Sequence, residues 1–251
     1  MKKISDRNRN FIFTIPFIVL LIFCINIPVA AKINPRTLEN NARKMIDRYY
    51  FDNDFNITAN DKDVVTIEGT VKTLYDKLRA RELVSRVPGI KEINSEITID
   101  TPLLPDKEIQ DNIIDEIKYN SSILEPDKIK VNVHNGTVTL SGDVNYYHEK
   151  LMIQSIASWQ NGVQNMISNI KVLAPNIERS DENLYEIITD VLKDRFPLEK
   201  NVSIDINNGV VTASGSVRNL WAKDHIKDEI LQIVGVKSFE NDLIVIPPDE
   251  T

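Results

Sequence analysis

The chain has 251 residues and a formal charge of −7, and 42% of its residues are hydrophobic while 27% are charged. This composition excludes a disordered chain and a protein with many membrane spans, and the length predicts one to three domains. Only eight residues are glycine, about 3% where roughly 7% is usual, which excludes a Gly-rich phosphate-binding protein.

The first 31 residues have the layout of a secretory signal peptide. A basic start from Lys2 to Arg9 precedes an apolar run over residues 11–29, and the small residues Ala30 and Ala31 follow. Because small residues mark the cleavage site, we predict export and cleavage after Ala31. An uncleaved membrane anchor is the open alternative, since the run is close to the shortest that spans a bilayer.

The single cysteine, Cys24, lies inside this segment. It follows Phe23, which is too bulky for the small residue expected before a lipid-bearing cysteine, so we predict that the chain is not a lipoprotein. Removal of residues 1–31 takes away four basic residues and one acidic residue, which changes the charge from −7 to −10. The exported chain then contains no cysteine and uses no disulfide.

The rest of the chain repeats three times with a period of 73 residues. All eight glycines lie on three repeat positions, occupied by Gly69, Gly142 and Gly215, by Gly89, Gly162 and Gly235, and by Gly136 and Gly209. Self-similarity at a fixed period indicates repeated structural units. We therefore predict three domains, at residues 36–101, 105–174 and 180–246.

Each copy contains the same series of predicted elements. An amphipathic helix comes first, over about residues 38–50, 109–119 and 184–195, and Asp106 and Ser180 are the predicted N-caps of the second and third of these. Two alternating apolar runs follow, which are joined in copies two and three by Asn-Gly, a strong hairpin signal. The spacing then changes to that of a second helix, and a last alternating run predicts a third strand.

The predicted fold class is therefore α+β. Three tandem small domains each contain helix, strand, strand, helix, strand, with a three-stranded sheet packed by two helices on one face. We expect the glycine at the end of the second strand in each copy to permit a bend or a close backbone contact. We expect the later glycine to close the second helix in the left-handed conformation.

The repeated motif resembles the BON domain. It reads Val138-Thr-Leu-Ser-Gly142-Asp-Val144 with Gly162-Val163 in copy two, and copies one and three carry the same pattern around Gly69 and Gly215. The resemblance covers residues 36–246. It implies a periplasmic or envelope location, no catalysis, and attachment to membranes through phospholipid binding or through envelope proteins.

The polar residues predict neither an enzyme nor a metal site. The three histidines, His134, His148 and His225, occupy different repeat positions and form no catalytic triad or metal-ligand set. We therefore predict no cofactor and no small-molecule substrate. The strongly negative charge of the exported chain also argues against binding to nucleic acid.

The second helices of copies one and two are the predicted membrane contact. The helix of copy one has the strongest positive charge, from Lys77, Arg79, Arg81 and Arg86 against two acidic residues, and the helix of copy two adds Tyr146 and Trp159. Basic and aromatic residues together favour an anionic lipid surface. The alternative is that the arginines form an ordinary solvated helix face.

We therefore predict a non-enzymatic periplasmic envelope protein that binds phospholipid membranes and supports envelope integrity or osmotic stress tolerance. Its predicted partners are an anionic phospholipid membrane surface or envelope proteins. The alternative function is a protein–protein adaptor or scaffold in the cell envelope that does not bind lipid directly.

Overall fold

A computed structural model of the chain describes residues 33–50, 55–173 and 179–246. The predicted signal segment, residues 1–31, lies outside these ranges. Within them the chain forms three separate three-stranded sheets. None of the helices in these ranges is long and apolar enough to cross a membrane.

The same five elements recur in each of three domains, which are called domains 1, 2 and 3 in chain order. Domain 1 contains α1 (Pro35–Asp47), β1 (Asn56–Ala59), β2 (Val64–Val71), α2 (Leu74–Ser85) and β3 (Glu92–Ile99). Domain 2 contains α3 (Asp106–Tyr119), a 3-10 turn (Pro126–Lys128), β4 (Lys130–His134), β5 (Thr137–Val144), α4 (Tyr147–Trp159) and β6 (Asn165–Val172). Domain 3 contains α5 (Asp181–Arg195), β7 (Asn201–Asn207), β8 (Val210–Val217), α6 (Leu220–Leu231) and β9 (Ser238–Val245). The predicted α+β fold with three tandem domains is confirmed.

The middle strand of each sheet organises its domain. It pairs with the first strand in antiparallel orientation and with the third in parallel orientation. A parallel pair needs a long crossover connection, and α2, α4 and α6 provide it. In domain 1 the core lies between the sheet and the helices, where Leu38, Ile67 and Val84 are fully buried.

The hairpins between the first two strands turn as predicted. Asn135 and Gly136 have φ angles of 48° and 69°, and Asn208 and Gly209 have φ angles of 51° and 78°. Two successive positive φ values are those of the tight turn that Asn-Gly favours. In domain 1 the position equivalent to these glycines is Asp63, which has a φ of 62°.

The first residue of α3 has a different role from the predicted one. Asp106 is not the N-cap, because Pro105 occupies that position and Asp106 is the first helical residue. Its carboxylate instead accepts hydrogen bonds from the backbone N–H groups of Asn135 (2.8 Å) and Gly136 (3.0 Å). Asp181 holds the domain 3 hairpin in the same way. The predicted N-cap Ser180 is confirmed, since its hydroxyl accepts from the backbone N–H of Asn183 at 3.2 Å.

The strand glycines permit close backbone contact. Gly142 has a φ of +132°, and a Cβ atom there would lie 2.3 Å from the carbonyl oxygen of Lys128. The equivalent atom on Gly215 would lie 2.0 Å from the carbonyl oxygen of Asn201. The later glycines have the predicted positive φ, which is 86° at Gly162. They do not cap the second helix as predicted: α4 ends at Trp159, so Gly162 turns the chain after the helix has ended.

We predict that Gly142→Val destabilises domain 2 by about 2–4 kcal/mol, because valine is strained at this φ and its Cβ collides with backbone. Hydrogen exchange of the β5 and β6 amides over a series of denaturant concentrations measures the loss of unfolding free energy for this domain alone. Thr139→Val on the same strand is the matched control, with an expected change below ~0.5 kcal/mol. Equal stability of the two variants would contradict this account of Gly142.

We also predict that acid weakens domain 2 through Asp106. Hydrogen bonds from the N–H groups of Gly136 and Asn135 lower the pKa of this carboxyl. The stabilisation is therefore complete above the unfolded pKa, about 3.9, and is lost as the pH falls through the lower folded pKa. Asp106→Asn should reduce the stability at pH 7 and flatten its acid dependence, as measured by amide exchange of the hairpin; an unchanged acid dependence would disprove the assignment.

Candidate functional site

The second helices of the three domains, α2, α4 and α6, meet at their ends. At the junction of domains 1 and 2, the ring of Tyr75 near the start of α2 stacks on Trp159, the last residue of α4. The ring centroids are 3.8 Å apart and the planes differ by 17°. Leu74 beside this stack belongs to the buried core cluster of domain 2. Domain 1 therefore inserts a side chain into the core of its neighbour.

The junction of domains 1 and 3 lies at the opposite end of α2. Arg86 follows the last residue of α2, and its guanidinium lies 4.5 Å from the ring centroid of Trp221, near the start of α6. The side-chain amide of Asn219 donates to the carbonyl oxygen of Arg86 at 3.1 Å. The backbone N–H of Gly89 donates to the carbonyl oxygen of Arg218 at 3.0 Å.

Among the residues that the structure describes, one side-chain hydrogen bond joins domains 2 and 3. The hydroxyl of Tyr147, the first residue of α4, donates to a carboxylate oxygen of Asp228 on α6 at 2.8 Å. Burial, this hydrogen bond and the negative charge of Asp228 raise the pKa of Tyr147 well above its usual value. Tyr147 is half-buried between two domains.

The two junctions of α2, with α4 and with α6, use the same repeat positions. Arg86 and Trp159 are 73 residues apart and are therefore equivalent, as are their partners Trp221 and Tyr75, which are two periods apart. Leu220, the equivalent of Leu74, packs against the core of domain 1. The end of α2 thus meets the start of α6, α6 contacts the start of α4, and the end of α4 meets the start of α2. We call this closed head-to-tail arrangement the helix ring.

The cations predicted to bind lipid, on α2 and at its C-cap, divide into two groups. Arg79 and Arg86 both pair with Glu82, at 2.6 Å and 2.9 Å. Burial opposes ionisation of Glu82, but the hydrogen bonds from Arg86 and Arg79 outweigh it and lower its pKa. The guanidinium of Arg79 also lies 5.6 Å from the ring centroid of Tyr49. The charges of Arg79 and Arg86 are therefore partly compensated within the protein.

Lys77 and Arg81 form the second group. They lie one helical turn apart, and Arg81 is exposed while Lys77 is half-buried. Three further cations occupy these two repeat positions in the other domains, namely Lys150, Lys223 and Lys227. In the part of the chain that the structure describes, none of the five makes an ion pair. We call these five residues the unpaired cations.

The two predicted aromatic contacts lie far from each other. Trp159 is 52% exposed at the end of α4 and contacts α2 through Tyr75. Tyr146 directly precedes the start of α4 and stacks on His148. Thirteen residues separate Tyr146 from Trp159, about 20 Å along a helix axis. The helix ring thus joins Trp159, but not Tyr146, to the basic helix α2.

A buried carboxylate on α4 was not identified by the sequence. Glu149 is 1% exposed and accepts hydrogen bonds from the backbone N–H groups of Leu124, Asn145 and Tyr146, at 2.8–2.9 Å. The charge of Glu149 therefore holds the loops around α4 and does not pair with Lys150. In domain 3 the carboxylate of Glu199, from the loop after α5, accepts from the N–H of Arg218 in the same way.

The histidines do not form a joint site. His225 faces Glu82 across the junction of domains 1 and 3, with 3.9 Å between Nε2 and the carboxylate oxygen, while His148 stacks on Tyr146 and His134 lies in β4. Among the described residues, no group of three His, Cys, Asp or Glu side chains is placed to hold a metal ion.

No curated protein matches the chain. Among solved structures, the C-terminal domain of CdsD, a structural protein of the type III secretion system of Chlamydia trachomatis, is 14% identical with a TM-score of 0.24, and the match covers 86% of this chain and 100% of that one. The periplasmic domain of PrgH is 11% identical with a TM-score of 0.20, over 82% of this chain and 98% of that one. These scores are too low to establish a common arrangement of domains.

A family model gives a more definite result. The model of the BON domain matches three times, at residues 38–101, 105–174 and 180–247. These segments make up most of the chain, and each contains one copy of the helix, strand, strand, helix, strand unit. The chain therefore belongs to the BON domain family and carries three copies of the domain.

Proposed function

We propose that this chain is a non-enzymatic protein of the periplasm that attaches to anionic phospholipid membranes through its helix ring. Membership of the BON family and the basic and apolar start of the sequence support the envelope location. We extend the proposal to a role in envelope integrity under osmotic stress, which the growth of a deletion strain in media of low and high osmolarity tests.

The observation that carries the proposal is the set of unpaired cations. A lysine or arginine near an anionic membrane contributes about 1 kcal/mol, and this attraction falls off within a Debye length of ~10 Å. Local charge thus matters more than the negative charge of the whole chain. Lys77 and Arg81 keep their charge available, whereas Glu82 compensates Arg79 and Arg86. We therefore assign the main electrostatic contact to Lys77 and Arg81.

Exposed apolar side chains on α2 and stacked against its start complete the proposed contact. Leu78, between Lys77 and Arg81 in the sequence, is 46% exposed, and Trp159 at the end of α4 is 52% exposed. Tryptophan is favoured at the boundary between lipid and water because its ring is apolar and its N–H is polar. Cations beside such side chains are typical of surfaces that lie on a membrane.

A protein–protein adaptor is the second candidate, and a groove in domain 3 favours it. The groove lies between α5 and β7, has a volume of about 460 Å³ and is lined by apolar side chains that include Leu192, Phe196 and Ile204. The equivalent groove of domain 2 is about 200 Å³. A stoichiometric envelope partner that is recovered without any vesicle binding would support the adaptor.

We predict that the mature chain sediments with vesicles containing phosphatidylglycerol and much less with vesicles of phosphatidylcholine. Lys77→Glu with Arg81→Glu should weaken binding to the anionic vesicles roughly 30-fold or more, because two contributions of about 1 kcal/mol are lost. Co-sedimentation over a series of lipid concentrations measures this change.

The matched control is Lys44→Glu with Arg48→Glu, which reverses two exposed charges with the same spacing at the end of α1. This variant has the same net charge and should keep most of the affinity. Equal loss in both variants would mean that only the net charge matters and would contradict the assigned contact. Absence of binding to anionic vesicles would overturn the proposed function itself.

A further inference from the structure

The junction of domains 1 and 3 joins two domains that are not consecutive in the chain. Its polar contacts centre on the carbonyl of Arg86, the guanidinium of Arg86 above Trp221, and the backbone hydrogen bond from Gly89 to Arg218. Domain 2 intervenes in the sequence, so no linker holds domains 1 and 3 together directly. Small, polar interfaces between domains permit relative motion unless other interactions prevent it.

Buried donors without acceptors are concentrated at this junction. Arg86 Nε, Arg218 Nε and Trp221 Nε1 are inaccessible to solvent and have no hydrogen-bond partner among the described residues. Leaving a buried donor unpaired costs free energy, because the group has lost its bonds to water. Opening of the junction would return these N–H groups to water. The free energy of the closed state is therefore less favourable than its contacts alone suggest.

The closed junction covers a side chain that suits a membrane. Trp221 is half-buried beneath Arg86 and beside Phe196. Its ring is apolar and its N–H is unpaired, the combination that is favoured where lipid meets water. Leu220, the residue before it, packs against the core of domain 1 and would be uncovered by the same motion.

We propose that the junction of domains 1 and 3 is a latch, which opens on an anionic phospholipid surface and delivers Trp221 to the membrane interface. This inference rests on the proposed membrane attachment and adds how that attachment is regulated. A membrane that binds the open form more tightly shifts the population toward it by the difference in affinity. While the latch is closed, the unpaired cations make the first contact with the anionic membrane.

The chain contains only two tryptophans, so each can be followed alone. Trp159→Phe leaves Trp221 as the single tryptophan and keeps an aromatic ring against Tyr75, while Trp221→Phe leaves Trp159. Vesicles of phosphatidylglycerol with brominated acyl chains quench a tryptophan that enters the interface. We expect a loss and a blue shift of the Trp221 emission when the Trp159→Phe variant binds these vesicles.

A variant of the latch tests the closed state without lipid. The side-chain oxygen of Asn219 accepts from the N–H of Ala222 and caps α6, while its amide group donates to Arg86. Asn219→Thr keeps a cap of the kind that Thr73 provides for α2, but it removes the bond to Arg86. We expect stronger quenching of Trp221 by acrylamide in solution and tighter binding to anionic vesicles.

Tyr147→Phe is the control, since it removes the hydrogen bond at the junction of domains 2 and 3 and should leave the quenching of Trp221 unchanged. Sedimentation with vesicles while Trp221 escapes the brominated lipids would overturn the latch and leave the proposed function intact. An Asn219→Thr variant with unchanged acrylamide quenching would also overturn the latch. If the protein does not sediment with any vesicle, both the proposed function and the latch are contradicted.

Discussion

End-to-end packing of α2, α4 and α6 determines which side chains of this protein remain free. Each of these helices exists because a parallel strand pair requires a crossover, and each therefore covers one side of its own sheet. Its ends remain available for neighbours, and the aromatic stack of Tyr75 on Trp159 and the contact of Arg86 with Trp221 use them. Equivalent repeat positions meet at the two junctions of α2, and the hydrogen bond from Tyr147 to Asp228 links α4 to α6, so three small domains form one closed unit.

This packing determines which cations of the basic helix α2 are available to an anionic surface. The sequence shows four cations on α2 and at its C-cap. Their spacing and the position of Glu82 separate them into a compensated pair and a pair that has no acidic partner among the described residues. Within this pair, Arg86 also contributes to the junction with domain 3, whereas Arg79 contacts Glu82 and Tyr49 of its own domain. The cations without partners recur at equivalent positions in the other domains. A chain with a strongly negative total charge can thereby present local positive charge to an anionic surface.

Periodicity in the sequence was sufficient to predict the secondary structure, the Asn-Gly hairpins and the three-domain organisation, because these depend on local backbone preferences and on burial within one domain. The predicted N-cap role of Asp106 was wrong. A carboxylate at the first helical residue can reach a hairpin about 30 residues away in the sequence, and only the tertiary structure reveals this contact. The burial of Glu149 and the meeting of Trp159 with Tyr75 were missed for the same reason. Alignment at the 73-residue period could have identified Lys150, Lys223 and Lys227 as equivalents of Lys77 and Arg81.

Small-angle X-ray scattering of the chain from residue 32 onward tests whether the second helices close the three domains into one compact unit. A compact unit of this length has a radius of gyration of about 17 Å. In lipid-free solution we expect a value within a few ångströms of that figure and a single compact distance distribution. A distribution with separate interdomain peaks and a much larger radius, typical of three domains on flexible linkers, would contradict the helix ring.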